Sequence, residues 1–198
     1  MTKSIILAGV LGGIAMFIWT FIAHMVLPLG ETGIRELPNE SEVLSALQTN
    51  LDGHRGLYMF PGSGLGPNAT REEKREAMKQ MGEKVATHPS GILMYQPPGR
   101  SLQMGRLLGT EFATELLESI LVVWLLAQTR LNNFSCRLMF VVVAGVLAAV
   151  ATNVSYWNWY GFPKRYTAAY MLIQVVGFFF IGLVAAFVFR NQREPAQS

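Results

Sequence analysis

Long apolar runs and one mixed stretch divide the chain. Ser4 to Leu27 is apolar apart from Thr20 and His24, Met139 to Val154 forms the core of another run, and Tyr166 to Phe189 is broken only by small or polar residues. Each approaches the roughly 20 residues that cross about 30 Å of hydrocarbon at 1.5 Å per residue. A further run, GRLLGTEFATELLESILVVWLLAQ, is purely apolar only from Ser119 to Ala127, so a spanning helix there has to include Glu118 and Glu115. The pattern predicts an all-α membrane protein. A four-helix transmembrane bundle is expected over residues 1–28, 105–129, 137–157 and 166–189, with a small mixed extracytoplasmic cap over 29–104 and a cytoplasmic tail.

The cap segment changes period repeatedly. Asn39 and Ser41, entered by Pro38, can cap a short helix through about Gln48. Thr70 followed by Glu73 fits a capping box, and Glu72, Glu73 and Glu76 early with Lys79 and Lys84 late complement the dipole of a helix through Val85. GLYMFPGSGLGPN and GILMYQPPG read as extended pieces bounded by turn residues. Packing of these pieces on one another is the expected use of their apolar residues.

Composition agrees with a lipid-facing chain: 51% of the 198 residues are hydrophobic and only 15% charged. Basic residues near span ends favour the cytoplasm. Lys3, Arg130, Arg137, Arg190 and Arg193 share one side if both termini are cytoplasmic, while Lys164 and Arg165 oppose this. A removable signal peptide is disfavoured, because the first run is long for a signal core and no small-x-small cleavage site follows it. The single cysteine, Cys136, excludes an internal disulfide.

Glu111, Glu115 and Glu118 are spaced four and then three residues apart, which places three carboxylates on one helical face. A charge near the bilayer centre costs roughly 2.5 to 3.5 kcal/mol, so this face must meet protein or water. Counting depth along the four helices puts His24, Glu111, Asn153 and Tyr170 roughly 6 to 9 Å below the outer surface. Glu115 and Gln174 lie one turn deeper, and Glu118 nearer the midplane. Gly9, Gly13, Thr20 and His24 share a face of the first helix, and Tyr166, Tyr170, Gln174 and Gly177 share one on the fourth. The expectation is a polar pocket open toward the outer side, lined by Glu111, Glu115, Glu118, His24, Asn153, Tyr170 and Gln174.

Three chemistries suit such a pocket. Closely spaced carboxylates can hold and pass a proton or a hard cation. His24 with Glu111 and Glu115 is a candidate metal-ligand set, although the Glu-x-x-His pair of carboxylate-bridged bundles is absent. The carboxylates can also serve structure alone, bonded to His24, Asn153, Tyr170 or Arg106. No phosphate loop, nucleophile elbow, Cys-x-x-Cys or His-Glu-x-x-His is present, so no catalytic residue is assigned and no cofactor is implied. The net charge of +3 comes from the membrane flanks rather than a basic patch, which argues against nucleic acid. The aromatic run SYWNWYGFP reads as an interfacial belt with a turn into the last helix.

FIWTFIAHMVLPLG and SYWNWYGFP resemble elements of a group of small bacterial four-span membrane proteins of uncharacterised function. That resemblance implies a bacterial inner-membrane location and supplies no activity, ligand or site residue. Four spans with a large first outer loop are also similar to the claudin and tetraspanin plan, but the loop cysteines of those families are absent, so the likeness is one of topology. The function expected is that of a non-catalytic assembly or accessory protein in the bilayer, as a homo-oligomer or within a larger membrane complex. The alternative is a small cation or proton conductor using the glutamates, and the third reading is a metal-dependent membrane enzyme.

Overall fold

The computed structural model describes residues 2–51 and 53–191. Arg193 and the other residues of the expected cytoplasmic tail beyond Asn191 lie outside the described residues. The chain is mostly helical (72%), with six α-helices among the described residues. Three helices are long and apolar enough to cross a membrane: Thr2–Val26, Phe134–Tyr160 and Lys164–Val188. Among the described residues the chain divides into two compact units, one holding those up to Ile34 and from Gln103 onward, the other those between Arg35 and Leu102.

The first unit contains α1 (Thr2–Phe21), continued by a π-helical turn at Ile22–Val26, then α4 (Met104–Ala127), α5 (Phe134–Tyr160) and α6 (Lys164–Val188). Local signals set their ends. The Asn133 side chain accepts a hydrogen bond from the Ser135 backbone N–H and starts α5. Gly161, at φ 71°, ends it in the left-handed conformation, and Pro163 then opens α6.

Small residues determine which helices touch. α1 packs along α4 and α6, α6 packs on α5, and α4 meets α5 only sparingly. α1 and α4 run antiparallel: a β-carbon on Gly9 would lie 2.8 Å from Ile120 Cγ1, and one on Gly13 would lie 2.9 Å from Leu116 Cα. Phe17 and Phe112 continue this seam with ring centroids 5.2 Å apart, edge to face. Gly177 receives the Met16 side chain from α1, and Gly145 receives the Phe178 ring across the α5–α6 seam. Backbones at this distance gain dispersion contacts that lipid cannot supply equally well.

One end of this unit is sealed. Val122, Val123, Leu126, Val141, Phe178, Ile181 and Ala185 form a buried apolar core. Beyond it Arg137 is buried and donates to the carbonyls of Leu131 (2.7 Å) and Phe189 (2.6 Å). Read from the sequence as a basic flank, Arg137 instead satisfies carbonyls left open at the end of α6 and in the α4–α5 turn.

The second unit holds α2 (Glu40–Leu51), β1 (Gly56–Phe60), α3 (Arg71–Thr87) and β2 (Gly91–Tyr95). The strands pair antiparallel, with Leu57 opposite Met94 and Met59 opposite Ile92. The Thr70–Glu73 capping box is formed in both directions. Beyond this strand pairing, the expected packing of the apolar pieces is not seen among the described residues. No residue of α2 or α3 is buried, Tyr95 is the only buried residue of this unit among those described, and Leu57, Met59, Met78 and Met94 are exposed. The reason lies in α3 itself, whose residues between Arg71 and Lys84 are mostly charged and leave too narrow an apolar stripe to cover a two-stranded sheet.

Candidate functional site

The carboxylates of α4 enter a cavity because helical side chains tilt toward their own N-terminus. α1 and α4 are antiparallel, so Thr20 leans down one helix while Glu115 leans up the other. They meet: Thr20 Oγ1 donates to Glu115 Oε1 at 2.5 Å. Glu115 is only 3% exposed, and its second oxygen, Oε2, is buried without a hydrogen-bond partner. Ser119, one turn further along α4, is fully buried with its hydroxyl also unpartnered, directly against Gly12.

A cavity of about 490 Å³ surrounds this group. Glu111, Glu115, Glu118, His24, Asn153, Tyr170 and Gln174, grouped by helical depth and period, all line it. Among the described residues no lysine or arginine lines it, and none of the three glutamates has a basic partner. Their surroundings differ: Glu111 is exposed, Glu118 half-buried and Glu115 buried. The rest of the wall is largely apolar, including Met16, Phe17, Phe21, Met25, Leu107 and Leu108.

The structure does not gather the expected ligands into a metal centre. Among the described residues no group of three or more His, Cys, Asp or Glu side chains could hold a metal ion. His24 lies in the π-helical turn, closed by the Leu27 N–H on the Ile22 carbonyl, and its Nδ1 donates to the Thr20 carbonyl at 2.9 Å. Its ring is held edge to face against Tyr170, with centroids 6.0 Å apart, and a β-carbon on Gly30 would collide with it. Asn153 likewise donates to its own helix, at the Ala149 carbonyl. Among the described residues no hydrogen bond joins the three glutamates to His24, Asn153, Tyr170 or Arg106, the partners expected under a structural role. Thr20 supplies the partner instead.

Helical period places Thr20 on the inward face of α1 without assigning it a role. The available signal was its position one turn before His24 on that face. Thr114 and Thr152 also line the cavity and are exposed at its side. They mark the side opening, because the first half of α4 and the last half of α5 are almost entirely exposed. The two helices converge only toward their shared turn. Aromatic rings run to this site in succession, from Tyr156 through Phe162, Tyr166 and Tyr170 to His24, with neighbouring centroids 4.4 to 6.0 Å apart.

Chemically, the arrangement offers oxygen acceptors, aromatic faces and an apolar wall, with no cation among its lining residues. No protein-family model, curated protein or solved structure matches the chain.

Proposed function

We propose that this chain is a four-span membrane protein, non-catalytic, whose polar cavity is a binding site closed at its inner end, and that it works as an assembly or accessory protein. The observation that carries this reading is the apolar seal below Glu118, where Val123, Val141 and Ile181 are fully buried. A single copy then lacks the continuous wet path that conduction needs. Embedding of α4 is supported by its seam with α1: a helix bound in register from Gly9 to Phe17 lies at the depth of its partner. Its glutamates turn toward the cavity, while Leu117, Leu121 and Trp124 are exposed on the outside of the bundle, as lipid contact requires. Lys3, Arg130 and Arg190 at one end favour cytoplasmic termini in a bacterial inner membrane, with the cavity opening to the other side.

Single cysteines at positions 117 and 121, in a Cys136→Ser background, test the fourth span. Both are expected to resist a membrane-impermeant maleimide in intact vesicles and to react after detergent is added. Free reaction in intact vesicles would remove α4 from the membrane. Liposomes holding the purified protein are expected to show no cation or proton flux above empty ones. A flux abolished by Glu115→Gln would instead establish the second reading, a conductor, which the unpartnered Glu115 oxygen favours and for which further copies would have to complete the path.

A further inference from the structure

We propose that the cavity binds a protonated alkylamine, its ammonium head among Glu111, Glu115 and Glu118 and its apolar tail leaving through the gap between α4 and α5. This rests on the binding-site reading above and names the class of ligand.

Charge determines the head. Three carboxylates face one space with no basic partner among the described residues, so an anionic or phosphate-bearing group is repelled and a cation is attracted. Glu115 is an independent sign of a missing donor. It is 97% buried, given its 3% exposure, it lines the cavity, and its Oε2 has no partner. A buried acceptor left unmade is costly; Oε2 is covered as it stands, so a turn of the carboxyl toward the cavity brings it to an ammonium N–H that satisfies it.

The wall distinguishes an amine from a metal ion. A hard cation needs six or more oxygens around it, whereas no ligand cluster forms here and much of the lining is hydrocarbon or aromatic. An ammonium needs acceptors on one side only. Its other side suits aromatic faces such as those of Phe17, Phe21 and Tyr170.

Shape determines the tail. A volume of about 490 Å³ lies in the range of small-molecule sites, roughly 300 to 1,000 Å³. The space is open between Thr114 on α4 and Thr152 on α5, both exposed, and Leu107 and Leu108 form an apolar rim. In a bilayer that gap faces acyl chains, which is where an alkyl tail is most stable.

The test uses a dodecylamine carrying a diazirine in its chain, photolysed with the purified full-length protein in non-ionic detergent, and labelled peptides read by mass spectrometry. Labelling is expected to concentrate on Leu107, Leu108, Thr114 and Thr152 along the exit, and to be displaced by dodecylamine but not by dodecanol. Glu115→Gln and Glu111→Gln are each expected to raise the displacing concentration at least about tenfold, the loss of one charge-assisted hydrogen bond. Should a glutamate variant unfold, Thr152→Trp fills the side opening without touching a carboxylate, and the same displacement is expected to fail. Butylamine separates the sources: equal displacement by butylamine means a water-borne head alone is bound and overturns the tail assignment. Displacement by dodecanol, or labelling spread evenly over the helices, overturns the proposal. If labelling is diffuse while liposomes show no flux, the amine is wrong and the closed cavity stands; if Glu115-dependent flux appears, the closed-cavity reading itself has failed.

Discussion

Thr20 Oγ1 donates to Glu115 Oε1 across the α1–α4 seam, 95 residues apart in sequence, and this is the only hydrogen bond that the Glu115 side chain makes among the described residues. The bond leaves half of a buried carboxyl unanswered. Its two partners are therefore expected to respond differently to substitution. Thr20→Val removes the donor and leaves both glutamate oxygens bare, and is expected to cost about 1 kcal/mol, read as a lower Tm in detergent, with Thr20→Ser close to the parent. Glu115→Leu removes the unmatched acceptor itself, and the freed Thr20 hydroxyl can turn back to its own helix. It is expected to leave Tm unchanged or higher. A large loss of Tm in Glu115→Leu would mean that the carboxyl is kept for stability.

The α1–α4 seam depends on backbone approach at Gly9 and Gly13. A β-carbon on Gly9 would sit 3.0 Å from Ile120 Cα, and backbone cannot yield as a side-chain tip does. Gly9→Val is expected to cost about 2 kcal/mol and to separate the two helices. Gly109→Ala is the matched control on α4, since nothing lies within 4 Å of its added carbon, and it is expected to be neutral or stabilising. Thermal unfolding of both variants checks this contrast.

At the opposite end, Arg137 bridges the Leu131 and Phe189 carbonyls, and its guanidinium lies 5.8 Å from the Phe189 ring centroid. Arg137→Ala is expected to lose about 3 kcal/mol by stranding two carbonyls beside the apolar core. Arg137→Lys is expected to recover only part, because a single ammonium cannot reproduce the fork. Faster amide exchange at the C-terminal turn of α6 would accompany the loss, while exchange at the α1–α4 seam stays unchanged.

Acid is expected to loosen α3 through its cap. The Thr70 backbone N–H, at 2.7 Å, and then its hydroxyl, at 2.9 Å, bond the Glu73 carboxylate and hold its pKa below the ordinary carboxylate value. A pKa lower when folded than when unfolded means that the stabilisation is complete above the unfolded value of about 4.3 and fades as pH falls through the folded value. Protection of the first-turn amides of α3, relative to their intrinsic exchange rate at each pH, should therefore fall on acidification below that point. Glu73→Gln should flatten this dependence, and Thr70→Ala, which loses the cap itself, should cost about 1 kcal/mol of helix stability at neutral pH.

Local and periodic features were legible in the sequence. Apolar length marks the three helices that can cross a membrane, Thr70 and Glu73 mark the start of α3, and Gly161 before Pro163 marks the break between α5 and α6. Helical period and depth also grouped Glu111, Glu115 and Glu118 with His24, Asn153, Tyr170 and Gln174, on inward faces within about two turns of one another, and all seven line the cavity. These conclusions need only 3.6 residues per turn, 1.5 Å per residue and the cost of charge in hydrocarbon.

Which of those groups bond to which was decided by the tertiary structure alone. His24 and Asn153 turn to carbonyls of their own helices, and Thr20 reaches Glu115 because two antiparallel helices tilt these side chains toward each other. Arg137 is drawn inward by carbonyls on two other segments, although its position reads as a basic flank. The gap beside Thr114 and Thr152 arises because α1 lies between α4 and α6, keeping α4 from α5 along half their length. Periodicity assigns a residue to a face and a depth. Its partner, and whether any space remains beside it, follow from crossing geometry set by a few glycines far away in the chain.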